Sequence, residues 1–354
     1  TDAAEPAADA PPGFVRAIGR WDLTAAVING VIGSGIFGLP AVLAALTGVL
    51  SPLAALAAGG GILLIVLCFA EVGSRFREHG GVYLYARAAY GPLVGFEVGW
   101  LLIWTRLLSA AANLNLFVLY LGELWPELAI GAPRAIVMTV LVATIAVTNV
   151  VGVRSATWSI DAFTIAKLVP LALLIVLGLP QVDGDVIATQ AVADPDWTQA
   201  VLVMMFAFGG FESALLPAGE MRDPKRDIGF ALLVGLAVIA TVYLLVQLVV
   251  IGTVAHAGET KAPLAQALGV LLGPPGVILA SVAAMVSVYG WTTGATLAQP
   301  RVIHAMAERG ELPAPLARVH PRFRTPHWAI VVFAVIALGL ALAGSFAANA
   351  TFSA

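Results

Sequence analysis

The apolar positions of this chain form long continuous runs, in which Leu, Val, Ile, Ala and Gly follow one another with few charges. A helix needs about 20 such residues to cross a hydrocarbon core of roughly 30 Å. A transmembrane barrel would instead show strands of about ten residues with alternating polarity. The pattern therefore predicts an all-α integral membrane protein with about nine membrane helices. They are expected at residues 23–49, 52–74, 92–122, 134–151, 157–179, 199–219, 228–254, 275–305 and 326–346.

The composition agrees with a helical membrane bundle. Hydrophobic residues make up 60% of the chain, charged residues only 11%, and the mean hydropathy is +0.95. Soluble domains carry about 25% charged residues. The opening stretch "TDAAEPAADAPPG" has no apolar residues large enough to build a core. Residues 1–20 are therefore predicted to be a disordered cytoplasmic tail.

The distribution of Lys and Arg predicts the orientation. If the N-terminus is cytoplasmic, fourteen of the 18 basic residues fall in cytoplasmic segments, and only Arg134 and Lys261 fall outside. This asymmetry is the positive-inside signature of a multi-pass protein of the cytoplasmic membrane. The basic residues are scattered over short loops, which argues against a nucleic-acid partner.

The stretch "INGVIGSGIFG" contains Gly33, Gly35 and Gly38 with the spacing of a dinucleotide-binding loop. That interpretation requires a preceding strand and an acidic residue about 20 positions later. The flanks here are apolar, and the next acidic residue is Glu71. The glycines are better explained as a break in the first membrane helix.

A second break is predicted in the sixth apolar run, where Gly209 and Gly210 lie mid-span and Glu212 adds a carboxyl group at membrane depth. Small residues also serve close helix packing, which is the simpler explanation of one glycine pair. Two breaks five helices apart, one beside a carboxylate, instead indicate the midplane binding site of a transporter built from inverted repeats. Free N–H groups and free carbonyls at such a site suit a zwitterion.

Four stretches in the same order resemble the amino acid–polyamine–organocation (APC) transporters. Their first-helix signature is similar to "GVIGSGIFGLP" (30–40), and the entry to their third helix is similar to "GGVYLYARAAYGPLVGFEVGW" (80–100). Their sixth-helix segment with its following loop is similar to "FAFGGFESALLPAGEMRDPKRDI" (206–228), and the end of their eighth helix is similar to "AQPRVIHAMAERGELP" (298–313).

This resemblance implies a LeuT-type fold of two inverted five-helix repeats, with helices 1 and 6 discontinuous. The first repeat would span residues 21–180 and the second residues 198–354. The family's second repeat continues through a tenth helix, whereas only "FAANATFSA" follows the ninth run here. The resemblance thus implies a second repeat that is incomplete, truncated before helix 10.

The resemblance also implies a substrate site. The substrate carboxylate would meet the N–H groups of Ser34 and Gly35, and the amino group would meet carbonyls near Val31, Phe206 and Gly209. Phe206 would cover the substrate as a lid, with Phe208 as the alternative. The full implied set is Val31, Ile32, Gly33, Ser34, Gly35, Phe206, Ala207, Phe208, Gly209 and Gly210.

Ionisable side chains inside the membrane are costly and are functional candidates. Lys167 resembles the lysine that replaces a sodium ion in sodium-independent members of the family, or it is a snorkelling lysine. Glu212 is either a proton-carrying carboxylate or an acceptor for N–H groups freed by the break. Arg106 either selects acidic substrates or forms a structural pair, with a carboxylate such as Glu97 or with carbonyls at a helix end.

The predicted function is sodium-independent secondary active transport of amino acids or related amines by alternating access, with proton coupling or exchange. Its partners would be the small-molecule substrate, protons and the lipid bilayer. The alternative is a non-transporting membrane module of the same fold that binds a ligand or a partner. Enzymatic activity, a metal and a cofactor are not expected, because the five His and the single Cys are scattered.

Overall fold

The structure is a computed structural model that describes residues 19–33, 35–73, 81–151, 156–212, 224–323 and 325–353. Over these ranges the chain is helical and contains no strand. The α-helices are α1 (Arg20–Val31), α2 (Gly35–Thr47), α3 (Ser51–Gly73), α4 (Gly81–Tyr90), α5 (Pro92–Leu124), α6 (Gly131–Val151), α7 (Ala156–Gly178), α8 (Gly184–Ala188), α9 (Trp197–Phe208), α10 (Pro224–Thr253), α11 (Pro263–Leu272), α12 (Pro274–Glu308), α13 (His327–Ala343) and α14 (Phe346–Ser353).

The predicted all-helical architecture is confirmed, and each of the nine apolar runs contains helix. Among the described residues, five segments are long and apolar enough to cross a membrane: Gly35–Gly73, Pro92–Leu124, Gly131–Val151, Arg226–Thr253 and Pro274–Glu308. The first run is divided between α1 and α2. The sixth is described only as far as residue 212, so the rest of its predicted span lies outside the described residues.

Helix α1 begins within the last residues of the stretch predicted as the N-terminal tail. Residues 1–18 lie outside the described residues, but Arg20 already belongs to α1. The side chain of Asp22 explains the early start, since it accepts the N–H of Gly19 at 3.0 Å and so satisfies a donor at the helix start.

Two groups of helices pack around separate hydrophobic clusters. The first contains α1, α2, α3, α9 and α10, with Phe37, Met204 and Tyr243 in its core. The second contains α5, α12 and α13, with Leu107, Met306 and Phe333 in its core, and α6 packs on α5 and α13 through a further cluster around Met138. α7 contacts both groups, through α10 and α12, and one face of α5 also packs on the first group. The polar residues Arg106, Ser109 and Asn113 of α5 consequently lie between the two groups.

The helix α14 lies beyond the ninth apolar run, where the sequence predicted no further membrane helix. It packs against α5 and α9 and also contacts α2. An added Cβ on Gly38 of α2 would lie 2.4 Å from the ring of Phe346, the first residue of α14. The absence of a side chain at Gly38 therefore lets α14 approach the broken first helix.

Candidate functional site

The first helix break separates α1 from α2. α1 ends at Val31 and α2 begins at Gly35. Between them, the N–H of Gly33 donates to the Val31 carbonyl at 2.6 Å, two residues back, where an α-helix would use the carbonyl four residues back. Carbonyls at the end of α1 and N–H groups at the start of α2 therefore do not take part in the regular hydrogen bonds of a helix. The start of α2 also carries the positive end of a helix dipole, which favours an anionic group.

The second break follows α9, which ends at Phe208. The N–H of Gly209 donates to the Phe206 carbonyl at 3.2 Å, which closes the last turn. Gly210 has φ 115°, a value that strongly favours glycine. The N–H of Gly210 donates to Oε2 of Glu212 at 3.0 Å. The carboxylate of Glu212 thus caps an N–H group that the break releases from the helix.

The two breaks are in direct backbone contact. An added Cβ on Gly210 would lie 2.5 Å from the carbonyl oxygen of Gly30, and one on Gly35 would lie 3.2 Å from Cα of Ala207. A larger residue at Gly210 would have to displace backbone. The glycines therefore do more than end helices, because they allow the broken segments of α1–α2 and α9 to meet.

Tyr243 of α10 links the two breaks through one hydroxyl group. Its oxygen lies 3.1 Å from the Val31 carbonyl oxygen and 2.8 Å from that of Ala207. The hydroxyl has a single proton, so it donates to one of these carbonyls at a time. The side chain is 2% exposed, so water does not replace this donor readily. Tyr243 was not predicted from the sequence, since a lone tyrosine in an apolar run has no distinguishing pattern.

A cavity of about 270 Å³ lies beside the breaks and between the two helix groups. It brings together most of the residues that the sequence implied for substrate binding, along with Arg106 and Glu212. The predicted residues in its lining are Val31, Gly33, Gly35, Phe206, Ala207, Gly209, Arg106 and Glu212.

The remaining residues of the predicted set lie elsewhere. Ile32 and Phe208 are each 1% exposed and belong to the hydrophobic core, where the Phe208 ring packs 5.2 Å from that of Tyr243. Gly210 lines an adjoining cavity. Ser34 lies outside the described residues. Phe208 is therefore not placed to cover a ligand in this cavity.

Phe206 is the aromatic side chain of α9 that borders the cavity. Its ring meets the Phe346 ring edge-on, with centroids 6.3 Å apart. The other end of α14 also reaches the cavity, where Ser353 contacts the Ser109 hydroxyl at 2.5 Å. α14 thus lies over this side of the site and supports the Phe206 ring.

Arg106 of α5 forms an ion pair with Glu212, and the two side chains are only 10% and 15% exposed. Among the predicted partners, Glu97 is exposed and does not supply this contact. Because the break after α9 places Glu212 beside α5, a carboxylate far away in sequence becomes the partner. The ion pair joins the second helix group to the broken segment of the first.

Lys167 of α7 is buried and donates from Nζ to the carbonyl of Asn29 at 2.7 Å. Asn29 lies in the last turn of α1, next to the break. The adjoining cavity, of about 280 Å³, is lined by Lys167, Asn29 and Arg106 and by small residues of α12. Lys167 therefore ties α7 to the end of α1 at the depth of the break.

Ser109, Asn113 and Trp291 also line the main cavity. Asn113 donates from Nδ2 to the Ser109 carbonyl at 2.7 Å, but its buried Oδ1 has no hydrogen-bond partner. The indole of Trp291 lies 3.4 Å from the position of an added Cβ on Gly33. Sequence reasoning missed Ser109 and Trp291 as site residues because α5 and α12 carry no break or motif at these positions.

The arrangement suits the binding of a small molecule. Helix-end N–H groups and carbonyls face the same space, which can hold a molecule with one anionic and one cationic group. In the part of the chain that the structure describes, no group of three or more His, Cys, Asp and Glu side chains could hold a metal ion.

Comparisons with known proteins agree with a transport site. A family model described as amino acid permease matches residues 18–354. The serine/threonine exchanger SteT of Bacillus subtilis is 32% identical over 337 residues, covering 91% of this chain and 75% of the exchanger. The methylthioribose transporter of the same organism is 27% identical, covering 93% and 75%. A putative arginine/ornithine antiporter of Escherichia coli K12 is 32% identical, covering 78% and 65%.

Proposed function

The chain belongs to the amino acid permease family of membrane transporters, and we propose that it moves amino acids or related amines across the cytoplasmic membrane by alternating access. The observation that carries this proposal is the contact between two helix breaks beside a cavity of about 270 Å³. The names of the relatives cover a hydroxylated amino acid, a basic amino acid and a sulfur-containing sugar. Family membership alone therefore leaves the substrate class open.

The substrate carboxylate binds at the start of α2, where the N–H groups around Gly35 and the helix dipole favour an anion. The amino group faces the carbonyls at the end of α1 and α9, those of Val31, Phe206 and Gly209. In the present structure the Phe206 carbonyl accepts from the Gly209 N–H, and the Val31 carbonyl accepts from the Gly33 N–H and lies 3.1 Å from the Tyr243 hydroxyl. Since a carbonyl has two lone pairs, the Phe206 carbonyl can also accept from the substrate ammonium, and the Val31 carbonyl can do so when Tyr243 donates to Ala207.

Alternating access is a movement of one helix group against the other. The first group carries both breaks, and the second contributes Arg106, Ser109 and Trp291 to the cavity wall. Movement between the groups therefore opens or closes the site, and it also shifts the contacts that α5 and α12 make with the first core. Phe206, held against Phe346, is the lid on the substrate.

Lys167 replaces a coupling sodium ion in this mechanism. The hydrogen bond from its ammonium to the Asn29 carbonyl at the end of α1 supports this role. Transport is accordingly sodium-independent, with proton coupling or exchange. The two inverted repeats span residues 21–180 and 198–354, with the N-terminus on the cytoplasmic side, as the distribution of basic residues favours.

Counterflow of labelled amino acids in proteoliposomes tests this function. Gly35→Leu should abolish substrate binding and counterflow, because its side chain would enter the contact with Ala207. Gly60→Leu is the matched control, since Gly60 of α3 has open space around its Cβ position. Counterflow should be lost only in the Gly35 variant.

Two outcomes would contradict the proposal. Wild-type affinity in a folded Gly35→Leu protein would place the substrate elsewhere. Specific binding without counterflow in the wild type would instead support a non-transporting binding module of the same fold.

A further inference from the structure

The charges at the candidate site are balanced within the protein. Among the described residues that line the main cavity, Arg106 and Glu212 are the ionisable ones, and they form an ion pair with each other. Glu212 uses its other carboxylate oxygen to accept the Gly210 N–H. The cavity wall therefore offers a substrate no unpaired charge from these two residues.

We propose that the Arg106–Glu212 pair determines the charge class of the substrate, and that it restricts the site to amino acids with uncharged side chains. This inference rests on the proposed function and names its substrate class. An amino acid with a neutral side chain needs partners only for its carboxylate and its amino group, and the helix breaks supply both. An acidic or basic side chain would need a counter-charge in the cavity, and the two ionisable residues of its described lining, Arg106 and Glu212, are already paired with each other.

The ion pair is costly to break because it is mostly shielded from water, so a charge that lost its partner would remain buried and uncompensated. Two unit charges in a partly buried protein environment interact far more strongly than in bulk water. A substrate carboxylate that approached Arg106 would be repelled by Glu212, and a substrate guanidinium that approached Glu212 would be repelled by Arg106. Either charged side chain would have to separate the pair or be bound without a partner, which is unfavourable.

Lys167 does not alter this balance inside the main cavity. It lines the adjoining cavity and directs its ammonium at the Asn29 carbonyl. Arg106, Gly30 and Trp291 border both cavities, whereas Lys167 belongs to the lining of the adjoining one. Removing the Glu212 charge would therefore leave an arginine facing the substrate without its partner.

The test is ligand binding by purified protein in detergent, measured as thermal stabilisation. The probes are serine, threonine, leucine and methionine as neutral ligands, aspartate and glutamate as acidic ligands, and arginine and ornithine as basic ligands. Wild-type protein should be stabilised by one or more neutral ligands only. Glu212→Gln should gain affinity for acidic ligands by about tenfold or more, and Arg106→Gln should gain affinity for basic ligands to a similar extent.

The double variant Arg106→Gln/Glu212→Gln is the matched control, because it removes both charges and leaves no unpaired charge buried. It should keep the neutral preference. A purely structural ion pair predicts lower stability in both single variants with no change in charge preference, and that result would overturn the proposal. A wild-type protein that binds aspartate or arginine as tightly as its best neutral ligand would also overturn it, whether or not the single variants fold.

A failure of the proposed function would look different from a failure of this inference. Binding of neutral ligands without counterflow in proteoliposomes would argue against transport and leave the charge preference intact. Counterflow of acidic or basic amino acids by the wild type would support transport and refute the role given to the ion pair.

Discussion

Replacing Tyr243 with phenylalanine should weaken substrate binding, and its effect on the stability of the protein should not account for this loss of affinity. The substitution removes one hydroxyl group and leaves the ring, which packs against Phe208. The hydroxyl serves the carbonyls of Val31 and Ala207, one at each helix break. Its loss leaves a buried carbonyl without that donor, which costs about 1–3 kcal/mol of unfolding free energy.

The effect on binding follows from the position of the two carbonyls. The hydroxyl holds the ends of α1 and α9 at the spacing that a bound amino acid would bridge. Without it, part of the binding free energy must go into ordering the breaks. A cost of about 1.4 kcal/mol would raise Kd roughly tenfold.

Tyr120→Phe is the matched control. Tyr120 is fully buried and donates its hydroxyl to the Phe37 carbonyl at 2.6 Å, inside α2 and away from the second break. Both variants should lose comparable stability, measured by thermal unfolding in detergent, but only Tyr243→Phe should lose affinity in a ligand-binding assay. Equal affinity losses in the two variants, or none in Tyr243→Phe, would refute the argument that this hydroxyl organises the breaks.

Two further predictions concern the lid and the lysine. Phe206→Ala should weaken substrate binding by about 1–3 kcal/mol, the range for a lost aromatic contact. Phe208→Ala should instead lower the stability of the protein by about 3–5 kcal/mol, because that ring is buried in the core. Uptake by the wild type should persist in sodium-free buffer and should be weaker, but still measurable, in Lys167→Ala; a strict sodium requirement in the wild type would show that Lys167 does not replace the ion. If pH dependence is retained in Lys167→Ala and lost in Glu212→Gln, the proton belongs to the carboxylate.

Much of the architecture was readable from the sequence because it depends on local properties. Continuous apolar runs require helices in a membrane, where every backbone group must find a partner within the protein. The break near Gly33 and Gly35 was predictable for the same reason, since these residues weaken a helix wherever they occur. The Gly209–Gly210 break followed from the same signal.

The partners of the charged side chains depended on tertiary structure. Nothing near Arg106 in the sequence indicates Glu212, which is more than a hundred residues away, and the weighed alternative Glu97 is exposed. The carbonyl of Asn29 became a partner of Lys167 only because α1 ends beside α7. An ion pair or a hydrogen bond is a contact in space, and sequence alone shows only which groups need a partner.

The choice between Phe206 and Phe208 shows the same division. Residues two apart on an α-helix point about 200° away from each other, so the sequence determined that only one of these rings could face a given cavity. Which ring does so depends on the rotation of α9 against α3 and α10. The packing of Phe208 onto Tyr243 and Gly59 sets that rotation and leaves Phe206 beside the cavity.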